Sequence, residues 1–258
     1  MIHIDKEVAR RMEECIKRIH IEVTKLYPVG KVMEINGGAA CFSGVDSYLS
    51  QVIGWGFNTK EKLLNSELNS IERFYKDLNH QRIDIELCPY AGTFLAEFLS
   101  YRGYRITELN NISLFDLKTH HVSVPHVDIR EVSPEEFDLW SKTIALGFGF
   151  IEAKTQFSYY IRAQGVRAFA AYIGGKIVAG GTIAIHETIG DLGVTSTLPS
   201  YRNMGLQKQL ILARLNYAKN HGLELATMTT VPGTISDLNN QKSGFRTAYT
   251  RIKMTLEL

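Results

Sequence analysis

Thr195-Ser196-Thr197-Leu198-Pro199-Ser200-Tyr201-Arg202-Asn203-Met204-Gly205-Leu206-Gln207 reads as a strand, a tight turn carrying Arg202 and Gly205, and a helix whose first turn is left open. The first N–H groups of a helix have no partner inside it and sit at the positive end of the macrodipole, so such a terminus attracts phosphate. Gly205 has no Cβ to hold an anion away from the backbone. An arginine and a glycine at fixed spacing are a weak signal alone. The flanks decide.

Downstream, Leu206, Leu210, Ile211, Leu215 and Ala218 recur at helical spacing, with Lys208, Arg214 and Lys219 opposite and Gly222 where a helix stops. Packing on a core accounts for that periodicity. It does not account for the Pro-x-Tyr-Arg-x-x-Gly approach straight out of a strand. Upstream, residues 166–172 and 176–186 are rich in apolar and β-favouring types, joined by Gly174-Gly175 as a two-residue turn. Residues 188–197 are expected to continue as one further strand. After the helix come a strand over 223–230, Pro232-Gly233, a short helical segment, Ser243-Gly244-Phe245 and an alternating strand over 247–256.

This order over residues 127–258, with its Asn239-x-x-x-x-Gly244-Phe245 ending, resembles the GNAT N-acetyltransferase superfamily. There the acyl-CoA pyrophosphate loop follows the pattern Arg/Gln-x-x-Gly-x-Gly/Ala. Thr197-Leu198-Pro199-x-Tyr201-Arg202, with Pro232-Gly233-Thr234-x-Ser236-x-x-Asn239 and Gly244-Phe245-Arg246, is similar more narrowly to a bacterial group of tandem-GNAT proteins. The resemblance implies direct transfer of acetyl from acetyl-CoA to a primary amine on a small molecule or peptide. It assigns the pyrophosphate to the backbone N–H groups of Asn203, Met204, Gly205, Leu206, Gln207 and Lys208, with Arg202 completing the turn. The pantetheine arm falls to the backbone of Thr195, Ser196 and Thr197, with Asn239 helping to hold it. Gln207 departs from the usual Gly or Ala, and its longer side chain either contacts a phosphate oxygen or narrows the site.

Catalysis needs a neutral amine, so a base or a water chain must remove its proton. Asp191, eight residues before Pro199, matches a strand position where some members of the superfamily carry a base. A solvated carboxylate is the plainer account of it, and His186 and Glu187 at the hairpin end are further candidates. The tyrosine acid usual four residues before the Gly of Gly-Phe is replaced by Asn240, which cannot act as an acid. Tyr249 is the candidate substitute, alongside Tyr201, although packing also explains each. These departures support a second reading of a different class, a non-catalytic acyl-CoA-binding sensor or interaction module. Transfer of an acyl group other than acetyl is a third.

Composition bounds the rest. A chain of 258 residues with a formal charge of +2 carries no electrostatic footprint of a nucleic-acid binder. Cys15, Cys41 and Cys88 are odd in number and widely spaced, which fits buried thiols in a reducing cytoplasm. No run approaches the length of a membrane span and the first residues lack a signal-peptide core, so no membrane association and a cytoplasmic location are expected. His120, His121 and His126 lie in a polar connection without metal-ligand spacing, so no metal is expected and the segment reads as a solvated linker.

The first half opens on an amphipathic helix through Val8, Met12, Ile16, Ile19, Val23 and Leu26. Its stripe suits a core face before it suits a partner helix or a membrane surface. Short apolar segments at 39–42 and 51–54 follow, then a helix over 61–78. Residues 83–88, 91–100, Arg102-Gly103-Tyr104 and 106–117 echo the strand, helix, Gly-aromatic, strand ending of the second half. No Arg-x-x-Gly-x-Gly turn opens a helix before residue 118, and Gly37-Gly38 and Gly54-x-Gly56 read as turns or bulges. The expectation is an α/β (α+β) protein of two GNAT-like units, each a mixed central sheet flanked by helices. Residues 1–118 form a degenerate domain, 119–126 a linker and 127–258 the acetyltransferase domain. Oligomeric state is open, a homodimer being one candidate.

Overall fold

The computed structural model describes residues 3–45 and 47–258. Among these, two compact units emerge: Ser113–Arg246, and His3–Ile112 together with Thr247–Leu258.

The unit built mainly from the N-terminal half contains α1 (Lys6–Thr24), β1 (Lys31–Ile35), β2 (Gly38–Phe42), β3 (Val52–Ile53), α2 (Leu64–Asp77), β4 (Arg82–Leu87), α3 (Phe94–Tyr101) and most of β5 (Arg105–Asp116). Asp5 caps α1, its Oδ1 accepting the Val8 N–H at 2.9 Å. Ile83, Ile85 and Leu87 alternate onto a core with Leu64, Leu68, Ile71 and Tyr75 of α2 and Leu95 and Leu99 of α3. The chain's final strand completes this sheet, pairing Ile252–Glu257 antiparallel with Arg82–Leu87. Beside it lies a buried ionic cluster: Arg251 Nη2 stands 3.0 Å from Glu13 Oε1, and Lys253 Nζ 3.4 Å from Glu86 Oε1.

The chain leading into α2 is filled by its own side chains. Trp55, wholly buried, donates its indole N–H to Glu67 Oε2 at 2.7 Å, and Thr59 Oγ1 donates to the same oxygen at 2.8 Å. Asn36 Nδ2 donates to Glu67 Oε1 at 2.8 Å. The Glu67 carboxylate thus gathers three side-chain donors, while no side chain caps the start of α2.

The second unit follows with β6 (Ile129–Glu131), α4 (Phe137–Phe148), α5 (Lys154–Arg162), β7 (Val166–Ile173), β8 (Lys176–His186), β9 (Ile189–Asp191), β10 (Thr195–Thr197), α6 (Leu206–Asn220), β11 (Leu225–Thr230) and α7 (Ile235–Lys242). After it, β12 (Arg246–Glu257) carries the chain into the strand already described. The strand order here is β11-β9-β8-β7-β6. The β7–β8 hairpin turns at Gly174 and Gly175, with φ of +57° and +75°, the left-handed pair that a tight hairpin needs. Both faces of the sheet are covered. Phe169 and Ala171 pack towards Leu210, Ile211 and Leu215 of α6, while Ala168, Ala170 and Tyr172 pack towards Trp140, Ile144, Phe157 and Ile161 of α4 and α5. Such strands read as nearly continuous apolar runs, as residues 166–186 do.

Residues 188–197 do not form one strand. β9 pairs antiparallel with β8 as Ala184↔Asp191, and β10 pairs with it as Thr195↔Gly181. Three steps along β8 therefore face four steps from Asp191 to Thr195, the signature of a β-bulge. On its other side β9 runs parallel to β11 through Asp191↔Thr227, and a last bond joins the Leu192 N–H to the Thr227 carbonyl at 2.8 Å. Beyond that point β10 is paired with β8 and not with β11, so the two neighbouring strands part.

Residues 119–126 are held along α6. Lys219 Nζ donates to the His120 carbonyl and Asn216 Nδ2 to the Ser123 carbonyl, both at 2.9 Å, and the His126 N–H donates to Gln209 Oε1 at 3.1 Å. Val122 is buried in the core. The segment is exposed at most of its positions, Val122 excepted, and backbone atoms tie it to one face of α6.

Candidate functional site

A groove of about 570 Å³ opens where β10 and β11 part. It is lined by Gly147, Phe148, Thr195, Ser196, Thr197, Tyr201, Arg202, Asn203, Gly205, Leu206, Gln207, Lys208, Ile235, Ser236 and Asn239. All lie in the 113–246 unit. Of the residues that the sequence proposed for acyl-CoA, Met204 alone is outside this lining; it is 56% exposed on the loop.

The strand end of the groove is a row of free peptide groups. Leu198 N–H donates to the Val178 carbonyl and Thr182 N–H to the Val194 carbonyl, which places residues 194 and 198 in hydrogen-bonded pairs with β8. Alternation in an antiparallel ladder then turns the N–H and C=O of Thr195 and Thr197 away from β8, towards the parted side. Ser196 points into the protein and its hydroxyl donates to the Ile144 carbonyl at 2.9 Å. A Cβ at Gly147 would collide with Ser196 Oγ, so glycine there lets α4 close onto the strand.

The other end is a helix terminus without a cap. In this unit Ser133 and Glu136 form a capping box, and Thr234 caps α7 by accepting the Asp237 N–H. α6 instead begins on Gly205, at φ +72°, with no side chain capping it. Asn203 is also left-handed, at φ +64°. Nothing lies within 4 Å of the position a Gly205 Cβ would take. Arg202 buttresses the loop, donating from Nη2 to the Gly147 carbonyl at 2.9 Å. Among the described lining residues none is acidic, and Arg202 and Lys208 are cationic. Open N–H groups, a helix dipole and two cations favour an anion at this end.

Gln207 spans the groove. Its Oε1 accepts Asn239 Nδ2 at 2.7 Å, joining the first turn of α6 to α7. The residue that departs from the Gly/Ala pattern is thus bonded to the asparagine that matches the family.

The proton-handling candidates are placed differently. Asp191 is buried, accepts the Thr227 hydroxyl at 2.8 Å and stands in the field of the buried Arg214 guanidinium. His186 and Glu187 sit at the β8–β9 turn, Glu187 at φ +50°. His186 is five residues along β8 from Gly181, roughly 17 Å at about 3.4 Å per residue. Tyr249 falls in the other unit, where its hydroxyl donates to Glu13 Oε1 at 2.7 Å and burial holds its pKa well above the usual tyrosine range. Its proton is committed to a structural bond, which corrects the expectation that it supplies the acid. Tyr201 lines the groove at the loop end, beside Arg202. Asn240 is wholly buried. The sequence reading did not single out Tyr160: its hydroxyl lies 2.7 Å from where a Gly193 Cβ would stand, at the bulge. Its spacing from Phe157 and Ile161 announced only a buried helix face.

Comparison with known proteins bears on the fold around this groove. Residues 134–238 match the model of the acetyltransferase (GNAT) family, and the chain carries a GNAT domain. A GCN5-related N-acetyltransferase from Kribbella flavida superposes with a TM-score of 0.71 at 17% identity, covering 99% of this chain and 96% of that one. A tandem GNAT protein from the clavulanic acid biosynthesis pathway gives 0.65 at 14% identity, with 98% and 95% covered. A functionally unknown conserved protein from Staphylococcus epidermidis gives 0.58 at 12% identity, with 90% and 96% covered. At these identities the likeness is one of fold. No curated protein matches the sequence. Among the described residues no group of His, Cys, Asp or Glu is arranged to hold a metal, and no helix is long and apolar enough to cross a membrane.

Proposed function

We propose that the chain is an acetyl-CoA-dependent N-acetyltransferase with one acyl-CoA site, in the 113–246 unit, acting on a primary amine. The observation that carries this reading is a single continuous groove that runs from the outward peptide groups of Thr195 and Thr197 to the uncapped start of α6. Its parts fit the substrate. The N–H groups around Gly205, with Arg202 and Lys208 near, suit a pyrophosphate. An extended arm with two amides suits addition to β10 as a further strand. The other unit offers no Arg-x-x-Gly-x-Gly turn at the start of a helix, so it is assigned no acyl-CoA site.

Acetyl-CoA supplies the acyl group as a thioester: an amine nitrogen bonds the carbonyl carbon, the carbon–sulfur bond breaks, and the amine's proton leaves through solvent. This chain's residues orient and desolvate. Thr195 and Thr197 offer N–H donors on the groove side, which suits both amide carbonyls and an oxygen gaining negative charge. Asn239 adds a side-chain amide. Released thiolate is a tolerable leaving group, so water replaces the tyrosine acid.

The test is release of free thiol from acetyl-CoA, followed with a thiol-reactive dye across a panel of primary amines and peptides. Amine-dependent release is expected with at least one class. Tight acetyl-CoA binding with no release across the panel would overturn catalysis and leave an acyl-CoA-binding module.

A further inference from the structure

Beneath the bulge lies a charge that the groove lining does not include. Arg214, on α6, is wholly buried, and burying a guanidinium is strongly unfavourable unless its hydrogen bonds are met. Its Nη2 has no hydrogen-bond partner among the described residues, so Nε and Nη1 carry its bonds; Nε donates to the Leu210 carbonyl of its own helix at 2.9 Å. Its Nη1 is shared by three acceptors: the Thr182 carbonyl at 2.9 Å, Thr195 Oγ1 at 3.0 Å and the Gly193 carbonyl at 3.2 Å. One nitrogen therefore grips β8, the middle of the segment between β9 and β10, and the residue at which β10 begins. Thr195 Oγ1 closes the same circuit by donating to the Gly193 carbonyl at 2.9 Å.

The surroundings are cut to admit this side chain. Gly181, opposite Thr195, would place a Cβ 2.9 Å from both Cζ and Nη1 of Arg214. Asp191 supplies the opposite charge: burial pushes the guanidinium below the usual arginine range and Asp191 pulls it back. The Thr227 hydroxyl, donated to Asp191, fixes that carboxylate at the last paired rung of β9 and β11. That carboxylate is thus engaged by a hydroxyl and faces a buried cation.

Resting on the acyl-CoA reading above, we propose that Arg214 is a positioning residue: by holding the Gly193 carbonyl and the Thr195 side chain it sets the bulge that turns the peptide groups of Thr195 and Thr197 into the groove, with Asp191 as its counter-charge. The pantetheine half of the site depends on it. The pyrophosphate half, built on Gly205 and the start of α6, does not.

Two probes separate the halves: CoA, and ADP, which carries a pyrophosphate without the arm. Calorimetric affinities are measured for the wild type, Arg214→Met, Arg214→Lys and Gly181→Ala, the last crowding the guanidinium without removing it. Arg214→Met is expected to weaken CoA roughly tenfold or more, the scale of a charged hydrogen bond, and ADP less than about twofold. Arg214→Lys restores part of the difference. Equal factors for CoA and ADP, or no change in either, would overturn the proposal, because a merely structural residue lowers both alike. If Arg214→Met does not fold, Arg214→Lys and Gly181→Ala decide by the same ratio. A wild type that binds neither probe overturns the acyl-CoA reading itself, which the variants cannot do.

Discussion

Gly205→Asp tests the anion end of the groove with the least disturbance of the fold. Gly205 stands at φ +72° and ψ +7°, so any L-residue there carries the left-handed cost of about 1–2 kcal/mol, and Asp tolerates that region better than most. No heavy atom lies within 4 Å of the new Cβ, so no collision adds to this. For a chain of this size, roughly 2–4 °C is lost per kcal/mol, which puts the melting temperature about 2–8 °C lower with the protein folded at 25 °C. A carboxylate on that Cβ then faces the bound pyrophosphate. At about 4 Å and an effective dielectric constant near 20 the repulsion is about 4 kcal/mol, close to a thousandfold in Kd. Gly205→Asn carries the same backbone cost without the charge and should lose far less. Calorimetric titration with CoA, beside thermal melts of all three proteins, reads both quantities. Equal affinities for the Asp and Asn variants would refute the reasoning, and so would an Asp variant that binds CoA like the wild type.

Other consequences follow from particular contacts. Gln207→Ala releases Asn239 from its 2.7 Å bond and should tighten CoA binding by up to about fivefold, the worth of one ordinary hydrogen bond; weaker binding would mean that Gln207 contacts the ligand instead. Glu67→Gln sets an amide against three donors and should destabilise the protein by about 1–3 kcal/mol in denaturant melts while the CoA affinity stays put. Burial pushes His20 down to about 4 from 6.5, so the folded protein resists its protonation. Its contribution is complete above pH 6.5 and is lost as pH falls towards 4, and replacing His20 with Gln should flatten melting temperature against pH in that window. Asp191→Asn should lower turnover without removing the acidic limb of the pH–rate profile; disappearance of that limb would restore the base role.

Much of the site was legible because its signals are local. Gly205, the open first turn of α6 and the Gly174-Gly175 hairpin are each specified by residues that touch their neighbours in sequence. The bulge was not legible. Ile189, Leu192 and Val194 continue a strand pattern without interruption, and what breaks the strand is Arg214, on the following helix. Tyr249 misled for a similar reason. Nothing in the alternation of the last strand says that its partners are Arg82–Leu87 and Glu13. Trp55 and Glu67 show the reverse limit: nothing local in the sequence says that an indole and a carboxylate twelve residues apart are bonded.

Stoichiometry tests the central claim most directly. Calorimetric titration of the wild-type chain with acetyl-CoA should give one site per chain, displaced by ADP, because one unit joins an Arg202-to-Gly205 turn, an open helix start and an outward strand in one groove, and the other has no such turn. Two sites per chain, or binding that ADP leaves untouched, would contradict it.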